Sequence, residues 1–205
     1  MRKRLNPPHV ESDEIGLERL VFFSDAVFAI AITLLALEIR PPASIAHEGN
    51  AELLNSLLSL WPKYLGFFIS FLSIGSFWLI HHRQYRHIEQ YDTRLMFINL
   101  LVLMSVAFIP FSTAVISENG NRTATILYAL NASLVGFLST WLWVYASYNR
   151  RLVKADLKPA AIRRAVIRNL IAPTIFLFSI GLSFIDPDLA KFLWLLIAPA
   201  VFLVK

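Results

Sequence analysis

The sequence predicts an all-α integral membrane protein of six transmembrane helices, and three observations carry that prediction. Of its 205 residues, 57% are hydrophobic and only 16% charged, with a mean hydropathy of +0.58, far from the composition of soluble domains. The apolar residues fall into blocks of spanning length. All but four of the nineteen Lys and Arg residues fall in segments that six spans place on one side of the membrane. The four on the other side are Arg40, Lys63, Arg122 and Lys191. Cytoplasmic segments are enriched in Lys and Arg, so both termini are expected inside.

In chain order, residues 1–14 are polar, contain Pro7 and Pro8, and are expected to form a flexible cytoplasmic tail ahead of one six-helix membrane domain over 15–205. The basic start MRKR resembles a leader, but Glu11, Asp13, Glu14 and Glu18 follow it, so a retained first span over 15–39 is the reading. Pro41 and Pro42 end it. A second span, 64–80, has Trp61 and Lys63 at its interface end, with Pro62 either kinking the helix or starting it afresh. The third covers 95–116 with a kink at Pro110, and Glu118, Asn119, Gly120 and Asn121 make a turn. The fourth, 123–148, ends in a belt of Trp141, Trp143, Tyr145 and Tyr148. A basic loop over 149–168 precedes a fifth span, 169–185, and 189–204 makes a sixth near the lower length limit. No internal repeat is visible, which argues against an inverted-repeat transporter.

The net charge of +5 lies between apolar blocks, which suits membrane topology rather than nucleic acid. The basic 149–168 loop suits anionic lipid better than voltage sensing. Cysteine is absent, so there is no disulfide or thiolate site. His81, His82 and His87 have no acidic cluster beside them, and adjacent helical histidines diverge by about 100°, so no metal site or cofactor is expected.

Residues 19–37, RLVFFSDAVFAIAITLLAL, carry the chemistry. Relative to Ile30, residues Thr33, Leu34 and Leu37 lie at about 300°, 40° and 340° around a helix, one narrow apolar stripe. Asp25 and Ser24 fall at about 220° and 120°, away from it. An acidic residue in a span normally faces protein or water and marks function. By itself such a stripe packs on neighbours or lipid. Beside it, Ala26, Ala29, Ala31 and Ala36 keep the helix slim. One helix cannot enclose a pore, so a channel reading requires a homo-oligomer with this helix on the axis, its apolar rings gating by dewetting. Thr33 would offer oxygen to a cation, and Glu38 at the outer mouth would either concentrate cations or stand as an ordinary solvated charge. In the second span Trp78 and His82 are i,i+4; an indole and an imidazole there would satisfy Ser24 and Asp25, with Arg19 balancing the charge.

Arg19, Phe23, Ser24 and Asp25, followed by AVFAIAITLLALEI, together with Phe77, Trp78, His81 and His82, resemble the signature of the transmembrane-protein-175 family, the endolysosomal potassium channels and their prokaryotic homologues. The resemblance implies a single-repeat prokaryotic member in the cell membrane, assembled as a tetramer. It makes Ile30, Leu34 and Leu37 the pore constriction and Thr33 part of a selectivity layer. Arg19, Ser24, Asp25, Trp78 and His82 become the polar network holding the pore helix. K+ is the expected permeant, with Na+, Cs+ and H+ as further candidates. The rival reading is a proton-coupled secondary transporter using Asp25 and His82 as a relay. A membrane enzyme built on Ser24, Asp25 and His82 lacks an evident oxyanion site.

Overall fold

A computed structural model describes residues 8–40 and 49–197, with side chains described from Ile15 onward. The described part is all helical: α1 (Pro8–Leu37), α2 (Asn50–Ser59), α3 (Trp61–Tyr85), α4 (Thr93–Ala107), α5 (Ile109–Asn119), α6 (Arg122–Ser147), α7 (Pro159–Leu182) and α8 (Pro187–Trp194). Among the described residues, five stretches are long and apolar enough to cross a membrane: Ile15–Leu37, Trp61–Tyr85, Thr93–Asn119, Arg122–Arg150 and Pro159–Leu182. Only the first part of the expected sixth span, through residue 197, lies within the described residues. α1 begins at Pro8, ahead of the helix start expected at residue 15.

Prolines set several boundaries. Pro62 starts α3 anew, as a residue without an amide donor can at a helix N-terminus. Pro110 does the same for α5, so the third span is two helices meeting at Phe108. The fifth span departs from expectation. It starts at Pro159 rather than at residue 169, and the arginines at 163, 164 and 168 belong to its first turns. Charge reads as loop in a hydropathy pattern, yet long arginine side chains ride on a helix and carry their heads outward.

α6 is the hub, packed on α7, α4 and α5. A Cβ at Gly136 would stand 2.8 Å from the Pro173 ring, so glycine is what lets α6 and α7 close at the α7 proline. At the end of the bundle where α6 begins, Tyr128, Phe176 and Trp194 cluster, Tyr128 and Trp194 stacked at 4.8 Å between ring centroids. Gly120, at φ +60°, ends α5; its carbonyl accepts from Lys191 Nζ at 2.9 Å, tying α8 to that turn. At the opposite end the α3–α4 and α6–α7 connections pair through an antiparallel bridge between Ile88 and Val153. There Asp92 caps α4 and receives Tyr145 Oη and Arg151 Nη2, each at 2.7 Å.

Candidate functional site

α1 divides into two faces. Leu20, Ser24, Phe28, Ala31 and Leu35, spaced by fours and threes, are buried against α3, α4 and α5. Helical spacing puts these five between about 80° and 160° from Ile30. The opposite face is exposed: Ile30 is 57%, Leu34 40% and Leu37 62% exposed. Arg19, Phe23, Ala26 and Thr33 are exposed on that side too. The Thr33 hydroxyl donates to the Ile30 carbonyl at 2.9 Å, which leaves its oxygen lone pairs turned outward. Glu38, just past the end of α1, is half-buried.

Two hydrogen-bonded anchors hold the buried side. Ser24 is fully buried. Its hydroxyl donates to the Leu20 carbonyl at 2.8 Å and accepts from Asn99 Nδ2 of α4 at 2.9 Å. Asn99 Oδ1 in turn sits 2.9 Å from His81 Nε2 of α3. His81 lies between Phe28, with ring centroids 5.5 Å apart, and Tyr85, stacked at 4.4 Å. The second anchor is Trp78 Nε1 donating to Asp25 Oδ1 at 2.8 Å. Ser24 and Asp25 are about 100° apart around the helix. Bonds in two such directions fix the rotation of α1, and with it the direction the apolar stripe faces.

The five residues expected to form one polar network are therefore brought together only in part. Asp25 and Trp78 meet directly. Ser24 is bonded, but to Asn99. His82 packs on Trp78 at 5.5 Å between ring centroids without bonding Asp25, and the imidazole joined to Ser24, through Asn99, is His81. Arg19 is exposed and makes no contact with Asp25 among the described residues. Within one chain its helical position, about 340°, aligns it with Ile30 and Leu37 instead.

Sequence reasoning missed Asn99 and His81. Both had a signal. Asn99 is an amide inside an apolar span, which is costly without a partner. On α3 the buried positions Ser70, Ile74, Phe77, His81 and Gln84 repeat at alternating fours and threes, a stripe that selects His81 over its neighbour.

The arrangement offers no nucleophile beside a free base. It offers a rotationally locked helix presenting an apolar stripe outward. A family model described as "Endosomal/lysosomal potassium channel TMEM175" matches residues 19–110, the stretch containing both anchors. The chain is 37% identical over 180 residues to a potassium channel of Chamaesiphon minutus, covering 86% of this chain and 87% of that one. It is 34% identical over 176 residues to a potassium channel of Streptomyces collinus, covering 83% and 84%. The crystal structure of a lysosomal potassium-selective channel TMEM175 homologue from Chamaesiphon minutus superposes with a TM-score of 0.80 at 33% identity, covering 93% of this chain and 98% of that one.

Proposed function

This chain belongs to the TMEM175 family, and from that premise we propose that it is a potassium-preferring cation channel whose pore is lined by α1 from each of four identical subunits. The observation that carries the reading is the unpartnered face of α1. Ile30, Leu34 and Leu37 are exposed while Ser24 and Asp25 anchor the helix from other sides. Around a fourfold axis the stripe becomes stacked apolar rings that conduct when wetted and block when dry. Thr33 contributes oxygens between them, and Glu38 gathers cations at the outer mouth. Ser24, Asp25 and Trp78 act as positioning residues, setting which way the rings point. His82 supports Trp78 by stacking, and Arg19 sits at the inner end of the pore stripe.

In this reading residues 15–205 form one channel domain behind an N-terminal tail over 1–14. The sixth span expected over 189–204 has its last residues, 198–204, outside the described residues, and both termini lie in the cytoplasm of a prokaryotic cell. The pore contributes no resident cofactor, and K+ passes with Na+, Cs+ and H+ as competitors.

Purified protein in potassium-loaded liposomes tests the proposal. Potassium efflux that grows linearly with the gradient and needs no second gradient is expected, from a particle of tetramer mass in detergent. A monomer, or no flux, refutes the channel. Saturating flux coupled to a proton gradient would support instead the transporter with Asp25 and His82 as relay.

A further inference from the structure

A cavity of about 340 Å³ lies at the inner end of the bundle, between the end of α3 and the start of α7. It takes no residue from α1. Four arginines line it: Arg83 and Arg86 at the end of α3, Arg164 and Arg168 on α7. No acidic residue lines it. The ion pairs among the described residues lie elsewhere, at Lys63–Glu118, Arg151–Asp92 and Lys191–Asp188. Four like charges converging on one hollow repel one another unless an anion sits between them.

The polar atoms beneath the arginines are unsatisfied. Asn169 is 2% exposed and lines the cavity, yet its Nδ2 has no hydrogen-bond partner. Gln84, 3% exposed, donates its amide to the Ser139 carbonyl at 3.1 Å, leaving Oε1 unpaired. Arg168 Nε is buried and unpaired as well. Buried polar groups are almost always bonded, so several orphans in one basic hollow point to a missing ligand.

We propose that this cavity binds a phosphate-bearing anion. Guanidinium groups fork phosphate oxygens with paired N–H donors, Asn169 Nδ2 and Arg168 Nε supply two more donors, and Gln84 Oε1 accepts from a hydroxyl carried by the ligand. The site stands where α3 and α7 leave the apolar layer, the depth of a lipid headgroup, and basic pockets between spans take such headgroups. A free phosphate-bearing ion offers the same chemistry. The proposal is independent of the pore reading, since neither α1 nor its anchors contribute to the cavity.

Thermal unfolding of the full chain in neutral detergent tests it, with dioctanoyl phosphatidylglycerol, dioctanoyl phosphatidylcholine and inorganic phosphate titrated separately. Phosphatidylglycerol should raise Tm with an apparent affinity at least about tenfold above that of phosphatidylcholine, whose choline the arginines repel. The Arg83→Gln/Arg168→Gln pair should abolish that shift, and so should Asn169→Asp. Arg163→Gln, which removes a positive charge outside the cavity, should not. Arg83→Lys/Arg168→Lys keeps the charge without the fork and should bind at an intermediate level, guarding against a variant that simply misfolds. An equal response to inorganic phosphate with the same variant pattern assigns the site to a free ion; a response to phosphatidylglycerol alone assigns it to lipid. No shift with either, or the same loss in Arg163→Gln as in the cavity pair, overturns the proposal.

Discussion

α1 and α6 invert the usual relation between hydrophobicity and burial. α1 is the most apolar of the five long helices and the least buried by its own chain, while α6 is the least apolar and the most buried. α6 hides Thr125, Asn131, Ser133, Ser139, Thr140 and Ser147 inside the bundle. Four of their hydroxyls donate to carbonyls one turn back. In a bilayer polar groups are what must be hidden, because lipid cannot bond them and is as apolar as leucine. Exposure of the α1 face therefore carries no penalty of its own. Its meaning comes from what lies along it: Arg19 at one end, Thr33 in the middle, and alanines that permit close approach.

The sharpest way to break that contrast is to make the exposed face polar. Ile30→Asn and Leu34→Asn add amides to the exposed stripe. Potassium flux in liposomes should rise by at least about tenfold, the effect of lowering a dewetting barrier by ~1.4 kcal/mol. Unchanged flux with an intact oligomer would mean that the stripe faces lipid. The buried face should respond in the opposite way. Asn99→Leu strands the His81 ring nitrogen and removes the Ser24 donor; losing the partner of a buried polar group costs about 1–3 kcal/mol. Tm in detergent should drop, with flux per assembled channel retained. A normal Tm would remove the anchor from the account.

Gly136→Ala sharpens the α6 side. Its new methyl would meet the Pro173 ring at 2.8 Å, and overpacking at such a contact costs roughly 1–3 kcal/mol. Ala26→Leu on the exposed α1 face meets nothing in its own subunit, so it should leave subunit unfolding unchanged and lower the yield of oligomer on a sizing column. Equal loss of subunit stability in both variants would erase the distinction between the two helices.

Much of this contrast is legible in sequence, and the limits have physical causes. Hydropathy located α1 and the cores of the other long helices, and the 100° spacing separated Ile30, Leu34 and Leu37 from Ser24 and Asp25. Periodicity gives angles within one helix, not the direction in which a neighbour lies. That is why His82 is expected from the sequence where His81 stands, whereas the angle of about 120° between Arg19 and Asp25 already points any pairing of Arg19 to another helix or subunit. Asn99 was passed over because a single amide barely alters the hydropathy of its span. The start of α7 was placed ten residues late because arginine lowers hydropathy without lowering helix propensity.

The smallest effect concerns how α6 is fastened at its C-terminal end. Burial raises the Asp92 pKa, but the Tyr145 hydroxyl, the Leu95 amide and the Arg151 guanidinium outweigh it, and the net shift is below the ordinary 3.8. A carboxyl depressed in the folded state stabilises the fold above its unfolded pKa and loses that contribution as pH falls through the folded one. Asp92 and Arg151 side chains are 35% and 52% exposed, so solvent screens the pair and the gain is modest. Asp92→Asn keeps a side-chain oxygen for the Leu95 amide but removes the charge and replaces with an amide nitrogen the oxygen that accepts from Tyr145 and Arg151. The variant should be slightly less stable than the parent at neutral pH, and its Tm should fall less between about pH 6 and about pH 3. Arg151→Gln should reproduce part of that flattening. Parallel acid profiles for parent and Asp92→Asn would show that this end of α6 is held by the Ile88–Val153 pairing and apolar packing alone.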